Sequence, residues 1–325
     1  MVFFKTTRTG EAMASWRQKA AGALAGGLRK GFSAYLWLLK IWLPISLATA
    51  LLEWSGWLSA LDFILQPAMG ILRLPAAAAL PIVIGLTAGV YGCLAAMAVL
   101  PLTAEHMTIV SVFVLIAHNL PQEGVIQARS GISFWKATAV RLAAAGVTSL
   151  LVAGWLDPAP LDGGGPAALY EKASLLPFLT QWGLQTILLC LKVLAILLGI
   201  MVLIELMKAF AWIGYLVAVF GPILTLLGLD RRATVLWLTG ALFGLAYGGA
   251  LIMEQSRELD LSAREVEKLQ LSIGINHSMI EDPLLFLPFV VSPLYAWLPR
   301  LAAAMAVVYL LTICARLRPA PTPGG

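Results

Sequence analysis

Charge is what this sequence has least of. Lys, Arg, Asp and Glu make up 12% of its 325 residues, about half the share usual in soluble domains. Beside 60% apolar residues and a mean hydropathy of +0.88, that scarcity excludes a water-soluble globular fold. Cysteine is as sparse. Cys93, Cys190 and Cys314 stand far apart in apolar segments without CxxC spacing, which removes cysteine-held zinc and dithiol chemistry and leaves them as packing residues. No GxxxxGK[ST] loop is present, so nucleotide hydrolysis at a phosphate loop is excluded. HExxH is missing too, and no nucleophile, base and orienter emerge together, so no enzyme is expected. The basic residues make no nucleic-acid patch. Lys5, Arg8, Arg17, Lys19, Arg29 and Lys30 all precede the first long apolar run, which is a topogenic signal.

Long apolar runs are what the sequence has in their place. Residues 75–100 exceed the roughly 20 needed to cross a bilayer. Membrane barrels show short alternating segments instead, so the expected fold class is an all-α integral membrane protein. The basic, mixed stretch 11–32 has no small-residue cleavage site after it and reads as an amphipathic helix on the cytoplasmic surface.

The chain is also self-similar. Lys40 and Glu53 match Lys192 and Glu205 (192 − 40 = 152), and Gly85 and Gly89 match Gly240 and Gly244 (240 − 85 = 155). His118 matches His277, and the run Arg141 to Ala145 matches Arg300 to Ala304, both at 159 (277 − 118). A shift that only grows is what small loop insertions produce between two copies. The expected organisation is an N-terminal segment 1–31, a first repeat 32–156, a Gly/Pro/Asp-rich linker 157–175, a second repeat 176–315 and a disordered tail 316–325. Each repeat reads as a long helix, an interfacial stretch (57–74; 210–229), a Gly-rich helix, a polar-tipped segment and a last helix.

The polar-tipped segments, 107–127 and 269–290, either cross or re-enter. Re-entry gathers Arg129, Lys136, Lys208, Arg231 and Arg232 with the basic N-terminus in the cytoplasm, and sends the net-acidic stretch 254–268 to the other side. On that ground six crossings, two re-entrant or broken-helix hairpins and inverted halves are expected.

Each tip concentrates chemistry. The first offers His118, Asn119, Gln122 and Glu123; the second offers Asn276, His277, Ser278, Glu281 and Asp282. Ionisable groups at membrane depth cost a few kcal/mol on insertion scales, and Pro121 and Pro283 interrupt the helices beside them. Polar helix breaks in both halves are the anatomy of a transporter whose site forms where the halves meet. All nine residues are candidates to bind a small polar solute. His118, Glu123, His277, Glu281 and Asp282 alternatively suit a divalent ion such as Fe2+, Zn2+ or Mn2+. The imidazoles also suit coupling to H+, with Na+ the other candidate coupling ion. A third possibility is that the tips glue the halves together. His106 lacks a counterpart and receives no role.

With these residues in view, the chain resembles the nucleoside-recognition (Gate) family of bacterial membrane proteins, which includes the membrane part of ferrous iron transport protein B and spore maturation proteins A and B. The resemblance covers residues 32–315 and rests on the duplicated unit, on Gly92-Cys93 and on Ile280-Glu281-Asp282. After Gly92-Cys93 the chain runs Leu94-Ala95-Ala96, without the Asn and Pro of the iron transporter. The resemblance implies a multi-pass protein of the bacterial cytoplasmic (inner) membrane, and the basic segment places its N-terminus in the cytoplasm. Its partners would be the bilayer and a solute or ion, with room for a homo-oligomer. The leading expectation is a permease for a nucleoside-like or other small polar solute; the alternatives are a divalent-metal transporter and a non-transport scaffold or gating subunit.

Overall fold

Helix is the only regular secondary structure in the computed structural model, which describes residues 4–60, 62–159, 174–256, 258–289 and 291–317. Most of the expected linker, and the expected tail beyond residue 317, lie outside the described residues. Five helical segments are long and apolar enough to cross a membrane: Trp16–Trp54, Ala104–Arg129, Phe134–Leu156, Leu175–Ala209 and Pro293–Leu317. The protein is therefore an all-α integral membrane protein, as the composition requires, since a helix satisfies its own backbone where no water can.

The first helix, α1 (Phe4–Trp54), runs 51 residues without a break, about 77 Å at 1.5 Å per residue and far more than the roughly 30 Å bilayer core. The stretch 11–32 is thus continuous with the first span. Two short helices, α2 (Trp57–Ala60) and α3 (Asp62–Ile71), follow. No residue of α3 is buried, Phe63, Ile64 and Ile71 are exposed, and the helix meets the next one at 81°, the habit of an element lying along the interface.

Then comes the Gly-rich stretch, which folds back on itself. It forms α4 (Ala79–Ala88) and α5 (Val90–Met97), separated by Gly89 at φ 85°. A methyl on Gly92 would meet Ile84 Cγ2 at 2.6 Å, and one on Gly85 would meet Cys93 Cβ at 3.3 Å. Residues eight apart lie about 12 Å apart along a straight helix, so the chain has folded back on itself at Gly89. In the second half α11 (Thr234–Phe243) and α12 (Leu245–Gln255) do the same around Gly244 at φ 89°, where a methyl on Gly248 would meet Gly240 Cα at 2.6 Å. Only glycine takes this backbone conformation without strain.

The polar-tipped segment of the first half, by contrast, is a broken helix that runs on. Helices α6 (Ala104–Ile116) and α7 (Leu120–Arg129) together make one 26-residue crossing candidate, and α8 (Phe134–Leu156) returns beside them. The second half follows with α9 (Leu175–Ala209), α10 (Ile213–Leu226), α13 (Ala263–Asn276), α14 (Glu281–Leu285) and α15 (Pro293–Leu317). Hairpins are present as expected, but they are the Gly-rich stretches and not the polar tips. The expected separation of 254–268 from Arg231 and Arg232 fails with them. Arg232 donates to the Leu259 and Asp260 carbonyls at 3.1 and 3.2 Å and reaches Glu265 at 3.0 Å, and Lys136 pairs with Glu267. These charges share one end of the molecule, called here the basic end; Arg73 and Asp157 pair at the other.

Helices α1 and α9, the counterparts marked by Lys40/Glu53 and Lys192/Glu205, pack antiparallel. Lys30 meets Glu205 at 2.9 Å, Gly27 sits on Val202, Gly31 on Leu198, Ser46 accepts from Trp182 at 3.1 Å, and Trp54 lies against Phe178. As one number rises the other falls.

Candidate functional site

Both polar breaks are built alike. Helix α6 ends at Ile116, and Asn119 at φ 47° turns the chain so that α7 can restart, with Pro121 in the first turn where its missing N–H costs nothing. Helix α13 ends at Asn276, and Ser278 at φ 49° makes the corresponding turn into α14. Each break leans on its own half's hairpin: Asn119 N–H donates to the Gly85 carbonyl at 2.9 Å and Met279 N–H to the Ala241 carbonyl at 2.6 Å.

A broken helix leaves carbonyls without partners, and an unpaired buried carbonyl is costly. Two fully buried arginines resolve this. Arg141, on α8, donates from Nε to Ile116 O at 3.0 Å and from Nη2 to His118 O at 2.9 Å; Arg300, on α15, donates to Ile275 O at 3.1 Å and His277 O at 2.7 Å. The duplication at shift 159 marked these arginines only as repeat landmarks. That they keep the same spacing to the His pair was the signal of a shared task.

The histidines then meet across the halves. His118 Nδ1 lies 2.9 Å from Val114 O, and His277 Nδ1 lies 3.0 Å from Gly274 O and 3.3 Å from Ile273 O. A carbonyl only accepts, so each Nδ1 carries the hydrogen and, in the neutral ring, each Nε2 presents a lone pair. The two Nε2 atoms face each other at 3.0 Å. Glu123 Oε1 stands 3.3 Å from one and 3.2 Å from the other, and Asp282 Oδ2 lies 3.6 Å from His118 Nε2. Glu123 turns its second oxygen to Arg141 Nη1 at 2.7 Å. All four side chains are buried. Lone pairs converging this closely repel unless a cation lies among them. Zinc-like ions bind His nitrogen and carboxylate oxygen at about 2.0–2.2 Å, which puts neighbouring tetrahedral ligands about 3.3 Å apart. Four of the separations, at 3.0–3.6 Å, bracket that spacing, and the ligand atoms of His118, His277 and Asp282 all lie within 4.8 Å of one another.

Of the nine expected residues, His118, Glu123, His277 and Asp282 converge. Glu281, expected among the metal ligands, instead accepts from the Tyr91 hydroxyl. Asn119 and Gln122 bond to each other at 3.1 Å at an exposed position, and Ser278 lies against Gly244. Asn276 is fully buried and neither of its amide atoms has a hydrogen-bond partner among the described residues. His106 forms a capping box with Thr103 at the start of α6, a structural task.

Residues 35–131 match the family model described as Gate: Nucleoside recognition. That stretch holds the Gly89 hairpin, the break at His118 and Glu123. The chain is also similar to an uncharacterized membrane protein, YvoD, of Bacillus subtilis (strain 168), at 27% identity over 300 residues that cover 88% of this chain and 92% of that protein. No solved structure matches.

Proposed function

On the footing that this membrane protein carries a Gate domain, we propose that it is a carrier whose cargo is a divalent transition-metal ion, held by His118, His277, Glu123 and Asp282 where the two halves meet. The observation that carries this reading is the pair of imidazole nitrogens, each bare by its Nδ1 bond, facing at 3.0 Å with a carboxylate oxygen against both. Such a gap suits an ion. An organic solute requires the two rings to part, and the amides best suited to it, Asn119 and Gln122, are turned to each other. His and carboxylate together favour zinc, iron(II) or manganese over magnesium or calcium. A proton shared between the rings is the competing occupant, and would make the cluster a coupling site.

The same reading gives a topology. Counting α13 and α14 as the second half's broken span yields three crossings per half, with one hairpin entering from each side. The antiparallel run of α1 against α9 supports inverted halves, and the positive-inside rule puts the basic end, with both termini, in the cytoplasm. Arg73, which this arrangement places on the side opposite the basic end, is neutralised by Asp157.

The test is metal content. Purified protein dialysed against Co2+ or Zn2+ should hold about one ion per chain, and His118→Ala or His277→Ala should weaken binding by about 100-fold or more and stop uptake into proteoliposomes, while the variants still elute as single species. Wild-type protein that binds no metal, or a His277→Ala variant that still does, overturns the reading.

A further inference from the structure

The two halves mirror each other at the metal site and then stop doing so. Toward the basic end, α7 continues from Glu123 through Gln127 and Ser130, and α13 runs back from His277 through Gly274 and Gln270. Spacings of three, four and seven residues keep these on one face of each helix. Gln127 Nε2 donates to Gln270 O at 2.7 Å, and Gln270 Nε2 donates to Ser130 O at 3.1 Å. Gly274 leaves room beside them, since a methyl there would meet the Gln127 amide at 2.8 Å. Both glutamines are fully buried, and the Oε1 of each has no hydrogen-bond partner among the described residues. Buried amide oxygens without partners are rare in native proteins and demand an account. Ser130 and Gln270 lie about 10 Å from the metal site along their helices. One turn beyond Gln270, Glu267 and Lys136 line a cavity of about 110 Å³ at the basic end.

At the same shift of 159, the opposite end carries different residues. Gln127 becomes Phe286, Ser130 becomes Phe289 and Gly274 becomes Leu115, all buried in the main apolar core. Ser111, the counterpart of Gln270, bonds back to Thr108 O of its own helix at 2.7 Å. One end of the site is lined with free amide oxygens and the other is filled with phenyl and leucyl groups.

We propose that Gln127, Gln270 and Ser130 form a one-sided polar path along which the ion passes between the site and the basic end, and that Leu115, Phe286 and Phe289 close the opposite end in this conformation. The proposal rests on the metal reading above. Amide oxygens are the hard, neutral groups that replace water around a cation without trapping it, whereas aromatic and leucyl side chains offer a cation nothing at that depth.

The experiment pairs equilibrium Co2+ binding with Co2+ uptake into proteoliposomes for wild type and for Gln127→Met/Gln270→Met, which keeps side-chain length and removes the oxygens. Binding should stay within about threefold, because neither residue is a ligand, and uptake should slow by about tenfold or more, the factor that goes with losing one ordinary hydrogen bond to a passing polar species. Uptake within twofold of wild type, with binding intact, overturns the path. Binding lost in the double variant alone also overturns it, because the glutamines would then be supporting the site. Failure of the wild type to bind Co2+ overturns the metal reading and the path with it. If the double variant is not recovered as a single species, Gln270→Met alone, which keeps the Gln127 bond, carries the same two expectations.

Discussion

The first and second halves share a scaffold but divide its work unequally. Both have a hairpin folded at a positive-φ glycine, a break turned by a left-handed residue, and an arginine that caps the carbonyls of the broken helix. The side chains hung on that scaffold differ. Glu123 touches both histidines and Arg141, whereas Asp282, its counterpart, approaches His118 from 3.6 Å, and Arg300 Nη1 has no hydrogen-bond or carboxylate partner among the described residues. The lesson is that duplication keeps the backbone devices that make a break possible, while the single site at the junction draws more from one copy than from the other.

The sharpest way to break this comparison is to neutralise each carboxylate in turn. Glu123→Gln should cost about 3–5 kcal/mol of stability, because it leaves a buried guanidinium without its carboxylate as well as removing a ligand. Asp282→Asn should cost about 1 kcal/mol and show itself mainly as roughly tenfold weaker Co2+ binding. Denaturation in detergent, read against Co2+ titration, separates the two. Equal losses of stability would mean that the halves contribute alike.

The arginine braces come next. Arg300→Met removes two carbonyl caps and should destabilise by about 2 kcal/mol, and Arg141→Met should destabilise by more, since Glu123 is stranded too. A ranking of Arg300 above Arg141 in thermal unfolding would show that the caps, and not the ion pair, set the cost.

Much of this was legible in the residues. The His pair, Glu123 and Asp282 announced themselves because ionisable groups at membrane depth are rare, and the repeat shift already paired them. The hairpins were not legible. Residues 75–100 are long and apolar enough to cross, and small residues four apart look the same whether the close neighbour is another helix or the chain's own returning arm. Only the φ of Gly89, set by tertiary packing, tells them apart. Sidedness went astray in one place for that reason: taking the second hairpin as a span sent 254–268 away from Arg231 and Arg232, whereas Arg232 bonds to Leu259, Asp260 and Glu265. Glu281 is a subtler case. It stands next to Asp282 in sequence, yet adjacent residues on a helix point about 100° apart, so one of the two was bound to face elsewhere, here toward Tyr91.

The hairpin glycines offer a smaller test of the same inequality. Alanine at Gly89 or Gly244 must adopt a backbone conformation costing about 1–3 kcal/mol. At Gly89 the new methyl would lie 3.7 Å from Asn119 Cβ, an ordinary contact, but at Gly244 it would lie 3.0 Å from Ser278 Oγ. Gly244→Ala should therefore lower Tm further than Gly89→Ala. The reverse order would mean that the second hairpin is the looser of the two.

The least effect belongs to the turns that lead into the hairpins. In the first half Pro75 precedes the turn Ala76–Ala78 with no side-chain bond, whereas in the second Asp230 caps Arg231–Ala233, accepting from Arg232 N at 2.8 Å and Nε at 3.1 Å. The hydrogen bonds from Arg232 hold the Asp230 carboxyl below its ordinary value of 3.8. A lowered folded pKa means that the carboxylate contributes its stability above that ordinary value and loses it as the pH falls through the folded one. Asp230→Asn should therefore lower Tm by about 1 °C at pH 7, as expected of an exposed pair, and the gap to wild type should close in acid. The Pro-capped turn of the first half has no carboxylate to titrate, so a gap that persists in acid would assign the effect to the shape of the turn and not to its charge.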